Sequence, residues 1–100
     1  MSILSNLRTY AAGWEEVERE GLSKEEIKTI SKIEVVSREN DWGTSVSMCF
    51  HMLGGGKKYI PLHRDSNLEV GNEVDVKSVK IITLERDGDD PCYKADGKVK

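Results

Sequence analysis

Two cysteines and two prolines are all that the 100 residues contain of either, and aromatic residues make up only 6%. So few thiols cannot build the disulfide framework of a small secreted domain, and they point to a reducing compartment. No apolar run approaches the roughly 20 residues that a helix needs to span a bilayer. A basic segment followed by an apolar one, the mark of a secretory signal, is likewise missing, so a cytoplasmic location is expected. Charge of one sign is lacking too. Fifteen basic and 18 acidic residues give a net charge of −3, and both signs are mixed along the chain. There is no basic arm or acidic tail to select a polyanionic partner or a membrane surface. No internal repeat and no low-complexity stretch occurs.

What is present suits one small globular domain. Hydrophobic residues are 37% of the chain and charged ones 33%, enough apolar material to escape disorder. A domain this short hides about two-thirds of its chain surface, so its core must be compact.

Ile3, Leu7, Tyr10, Trp14 and Val17 recur at spacings of four, three, four and three, which puts them on one face of a helix. Gly21 is placed to end that helix in the left-handed conformation. A short strand over Trp14 to Glu18 is the competing reading, because polar and apolar residues also alternate there. Ser23 and Glu26 then show the S-x-x-E spacing of a capping box, with Leu22 and Ile27 as the matching hydrophobic staple. Residues 1–31 are therefore expected to be helical and to pack on a sheet.

From Ile33 the period changes to two. Ile33 and Val35 alternate with polar neighbours, and Asn40-Asp41-Trp42-Gly43 supplies a hairpin turn. Val46, Met48, Phe50 and Met52 face one side of the next strand, with Ser45, Ser47, Cys49 and His51 on the other. Three glycines, Gly54 to Gly56, turn the chain into a third strand from Lys57 to Leu62. Pro61 there cannot donate to a ladder, which marks an edge. A fourth strand is expected from Val74 and Val76, with a bulge or corner near Lys77–Ser78 to explain why the apolar phase slips. The Asp87-Gly88-Asp89-Asp90 turn leads to a fifth strand around Cys92 to Ala95, and residues 97–100 are expected to fray. The fold expected is α+β, mostly β: a five-stranded antiparallel barrel or strongly curved sheet over 32–96, OB-like or SH3-like, with an N-terminal helical segment. An open antiparallel sheet with a helix on it is the runner-up.

Several strings within residues 33–93 also carry a resemblance: Val36-Ser37, W-G-T-S-V from Trp42, Y-I-P-L from Tyr59, L-E-V-G-N-E-V from Leu68, and I-I-T-L-E-R-D-G-D from Ile81. Together they resemble small proteins of gut Bacteroidales bacteria and their phages or mobile elements, a group with no established activity. The resemblance implies a cytoplasmic accessory protein of a bacterium or phage. It transfers no catalytic residue.

Chemistry-bearing residues are sparse. No G-x-S-x-G elbow occurs, and Gly54-Gly55-Gly56-Lys57-Lys58 lacks the hydroxyl residue and helix of a phosphate loop. Cys49 and His51 sit at i, i+2 on one strand face, close enough for contact, but with nothing else converging there. Cys49, His51, His63 and Cys92 are the right residue types for zinc without its usual spacing. Neither an enzyme, a metal nor a cofactor is therefore expected.

Two binding readings are left. Lys57, Lys58, His63 and Arg64 cluster around the third strand with Tyr59 and Trp42, as single-strand nucleic-acid binders require; Tyr93 and Lys94 extend that surface. Alternatively, the stripe of Ile3, Leu7, Tyr10 and Trp14 pairs with another chain or covers the protein's own sheet. The edge from Lys57 to Leu62 also offers itself to a partner strand. The expectation is a non-enzymatic module for an unknown protein partner, ahead of single-stranded nucleic acid, with monomer and homodimer both open.

Overall fold

A computed structural model of the chain describes residues 13–100. Among them run β1 (Glu15–Gly21), α1 (Lys24–Thr29), β2 (Ile30–Asn40), β3 (Gly43–Met52), β4 (Lys57–Pro61), β5 (Lys80–Glu85) and β6 (Cys92–Asp96). The strands form two three-stranded antiparallel sheets, ordered β1-β5-β6 and β2-β3-β4. The expected five-stranded barrel is therefore wrong. Among the described residues, one isolated bridge, Leu62 with Ala95, links the strands of the two sheets; Glu34 with Glu73 and Val74 with Val99 tie loop and tail segments to β2 and to each other. A barrel needs a continuous ladder around its wall.

The expected N-terminal helix also fails where the chain is described. Residues 15–21 pair with β5 along their length, from Glu15 opposite Glu85 to Gly21 opposite Lys80. Their hydrogen bonds thus come from a partner some 60 residues away in sequence, which outweighs the local period. Trp14 and Val17 are three apart, a spacing a helix explains, but a bulge between Glu16 and Glu18 resets the phase instead. Gly21 ends a strand rather than capping a helix. Ile3, Leu7 and Tyr10 lie outside the described residues.

The capping box, by contrast, forms as its spacing demands. The Glu26 N–H donates to Ser23 Oγ at 3.1 Å, and the Ser23 N–H donates to Glu26 Oε1 at 3.0 Å. One short helix results, and its start sets where Leu22 enters the core.

β2 and β3 form a long hairpin about the Asp41-Trp42 turn, in register from Ile33 opposite Phe50 to Asn40 opposite Gly43. The β3–β4 connection needs Gly55 and Gly56, with φ of 90° and 85°, a conformation that side chains oppose. The core lies between the sheets: Ile33, Val35, Met48, Phe50, Leu68, Val74, Val79 and Ala95 form one buried cluster. Because β3 is central, both of its faces are covered from Ser47 to Phe50.

The strand expected from Val74 is a different device. Asn72 C=O accepts from Val35 N–H, and Val74 N–H donates to Ile33 C=O, so this segment lies against the outer edge of β2. Of the bulge or corner expected there, the structure has a corner: a 3-10 turn, Val76–Ser78, accounts for the phase slip. The C-terminal residues do not fray. Asp75 N–H donates to Lys98 C=O, Lys98 N–H to Ser78 Oγ, and Lys100 N–H to Glu73 C=O, each at 2.8–2.9 Å. A side chain at Gly97 would come within 3.0 Å of Val74 Cγ1, so glycine permits this close approach.

Deleting residues 97–100 removes these three bonds and is expected to lower unfolding free energy by about 1–3 kcal/mol in urea titration. A stability unchanged within about 0.5 kcal/mol would show that the tail contributes nothing.

Candidate functional site

β4 and β6 are the last strands of their sheets, and they meet side by side at one bridge. There Leu62 lies beside Ala95 in parallel, and His63 N–H donates to Ala95 C=O at 2.8 Å. Next to that seam, where β4 and β6 do not pair, a groove of about 780 Å³ opens between residues 58–61 and 92–93. That volume lies within the range of ligand sites. Phe50 and Met52 of β3, Ile60 of β4, Ile30 of β2 and Ile81 of β5 give it apolar walls. Leu22, Glu26 and Thr29 close one side from α1 and the residue before its cap, and Tyr59, Tyr93 and Cys92 lie along the rim. Tyr59 and Tyr93 are 39% and 51% exposed.

The ladder fixes which backbone groups face the gap. Leu62 N–H donates to Val46 C=O, and Met52 N–H to Gly56 C=O. Antiparallel pairs alternate, so Lys58 and Ile60 bond β3 while Lys57 and Tyr59 turn their N–H and C=O groups away from it. No described residue pairs with those groups. The bond from His63 shows that Ala95 turns away from β5, and Tyr93, two residues earlier, turns the same way. The two tyrosine backbones thus address the same gap.

The alternate side chains of β4 diverge. Lys58 shares the groove face with Ile60, close enough to Glu26 to help hold that carboxyl below its ordinary range; the hydrogen bonds from Ser23 are the larger cause. Lys57 and Tyr59 lie on the outer, polar face of the same sheet. There the Arg38 guanidinium stacks on the Tyr59 ring at 4.0 Å. Beside it, Glu34 contacts Lys32 at 3.2 Å and His51 Nε2 at 3.2 Å. Those two partners, His51 first, keep the Glu34 carboxyl below the usual carboxylate range.

Cys49 and His51 do meet, with Sγ 3.7 Å from Nε2. The same nitrogen faces Glu34, however. A nucleophile–base–orienter relay uses both ring nitrogens, one for the thiol and one for the acid. Cys49 is also 1% exposed, so a substrate has no route to it. The zinc-type set does not assemble either. His63 lies in the chain after β4 and Cys92 at the groove, and among the described residues no three His, Cys, Asp or Glu side chains are placed so that they could hold a metal ion.

The six residues expected to bind nucleic acid do not share a surface. Lys57 and Tyr59 share the outer face, Lys58 points to the groove, and Trp42 sits at the hairpin tip, 94% exposed. His63 is 7% exposed; its Nδ1 accepts from Asp65 N–H at 3.1 Å and its Nε2 lies 3.6 Å from Glu16. Arg64 is exposed beside a separate depression. Trp14, assigned to a partner-binding stripe, is half-buried, with the Arg86 guanidinium 4.8 Å from its ring centre. Ile60, Phe50 and Met52 were readable as inward-facing from their alternation. The groove that they line was not, because it depends on how far two distant edges stay apart.

No family model, curated protein or solved structure matches this chain.

Because Glu34 is depressed in the folded state, its contribution to stability is present above the ordinary glutamate range and is lost as pH falls through its lowered folded value. Glu34→Gln is expected to flatten the acid limb of the stability–pH profile, measured by thermal melts between pH 2 and about 6. An unchanged acid limb would mean that His51 and Lys32 do not hold that charge.

Proposed function

We propose that this chain is a non-enzymatic binding module whose partner is a protein, held at the groove between β4 and β6. The observation that carries the reading is the coincidence of an apolar groove with strand edges whose amides and carbonyls have no partner among the described residues. Partner strands use such edges: main-chain bonds supply affinity, and alternate side chains supply selectivity. The half-exposed tyrosines at the rim fit an interface, where a large ring contributes contact area at low entropic cost. An accessory protein of a bacterium or phage that works by occupying another protein suits a chain of this size, and the reading places it in the cytoplasm. None of the described helices is long and apolar enough to cross a membrane.

Single-stranded nucleic acid is the second reading. The Arg38–Tyr59 stack, with Lys32 and Lys57 on the same face, is the observation in its favour. Its cations are few and interleaved with Glu34, whereas phosphate contacts supply most non-specific affinity.

A photo-crosslinking residue in place of Tyr93 tests the first reading in native cells. The expected result is a protein adduct that disappears in the Ile60→Lys variant and is not formed from position 87. Nuclease-sensitive adducts alone, or the same adducts from both positions, would contradict it.

A further inference from the structure

Building on that reading, we infer that the groove takes an extended acidic peptide as an added strand on β4, with alternate apolar side chains inside the groove and carboxylates facing Lys57 and Arg38. The backbone supplies the first argument. Lys57 and Tyr59 each present an N–H and a C=O, two residues apart, which is the repeat of a strand edge. Pro61 has no N–H and Leu62 is already beside Ala95, so pairing is confined to the stretch before the seam. A strand laid there sends every second side chain towards Ile60, Phe50 and Ile81 and the others to the outer face.

Charge chooses the occupant. Lys57 and Lys58 are consecutive, so they place one cation on each face of the open end, and neither is in an ion pair with another described residue. Arg38 adds a third cation on the outer face, through its stack on Tyr59. A strand with carboxylates on its outward face brings opposite charges together across the new pairing, which favours it. A second copy of this chain does not meet that requirement. Docking β4 on β4 either sets the lysine pairs opposite one another or, slid to centre on Tyr59, offers Pro61 where a donor is needed. Nucleic acid would bring charge without the apolar side chains that the groove walls would cover.

The probe is a capped synthetic peptide of alternating valine and glutamate, compared with the valine–lysine and proline-interrupted forms. Cys92 at the groove reports occupancy through its alkylation rate, while Cys49 is buried and stays silent. Expected are slowed Cys92 alkylation and protection of the Lys57 and Tyr59 amides with the glutamate peptide, and neither with the other two. Lys57→Ala should weaken binding by about fivefold, more at low salt than at high, whereas Lys58→Ala, on the groove face and away from the carboxylates, should change it little. Lys57→Glu should shift the preference towards the lysine peptide. Equal binding of all three peptides, or displacement by oligo-dT with steep salt dependence, would overturn the inference. If the glutamate peptide fails while the Tyr93-position adduct persists, the acidic strand is wrong and the protein-binding groove stands. If both fail, both readings fall together.

Discussion

The hydrogen bond from His63 N–H to Ala95 C=O, with the Leu62–Ala95 bridge around it, is the point at which the two sheets are pinned together beside the groove. Had the pairing continued along β4 and β6, their edges would satisfy each other and the interior would be closed on that side. It stops after one bridge. The apolar residues behind it, Phe50, Ile60 and Ile81, therefore line a groove instead of a sealed core. On the opposite side the sheet is finished differently: residues 72–74 lie along β2, and residues 98–100 lie along residues 73–75. Among the described residues, the chain covers one outer edge of this sheet with its own backbone and leaves the other without a partner strand before the seam.

That asymmetry orders the chemistry of the surface. β3 is buried on both faces at its centre, which fixes the register of its neighbours, because a one-residue slip would turn Met48 and Phe50 outward. With register fixed, β4 must send Lys58 and Ile60 to the groove and Lys57 and Tyr59 to the polar face. The same alternation gathers Glu34, His51 and Cys49 on one face, where a single imidazole nitrogen serves both the acid and the thiol. A charged, hydrogen-bonded surface of that kind supports the sheet; it does not build a nucleophile.

Much of this was legible in the residues, for definable reasons. The capping box at Ser23 and Glu26, the Asp41-Trp42 hairpin, the inward row of Met48, Phe50 and Met52, and the edge character of Lys57 to Pro61 are local, and local rules found them. The failures are all non-local. Residues 15–21 carry a pattern compatible with helix or strand, and β5 decides between them. The phase slip after Val76 signals a change of direction, but a bulge and a 3-10 turn leave the same mark in the sequence. A polar tail such as Gly97 to Lys100 gives no hint that Glu73, Asp75 and Ser78 wait for it. Lysines grouped in sequence likewise look like one patch until the pleat sends them to opposite faces.

Amide hydrogen exchange of the isolated protein, resolved by residue, tests the central claim most directly. If the β4 edge is open, the Lys57 and Tyr59 amides exchange quickly while those of Lys58 and Ile60, bonded to β3, are strongly protected. Equal, strong protection along all of β4 would show that the edge is already paired and that the groove is closed to a partner strand.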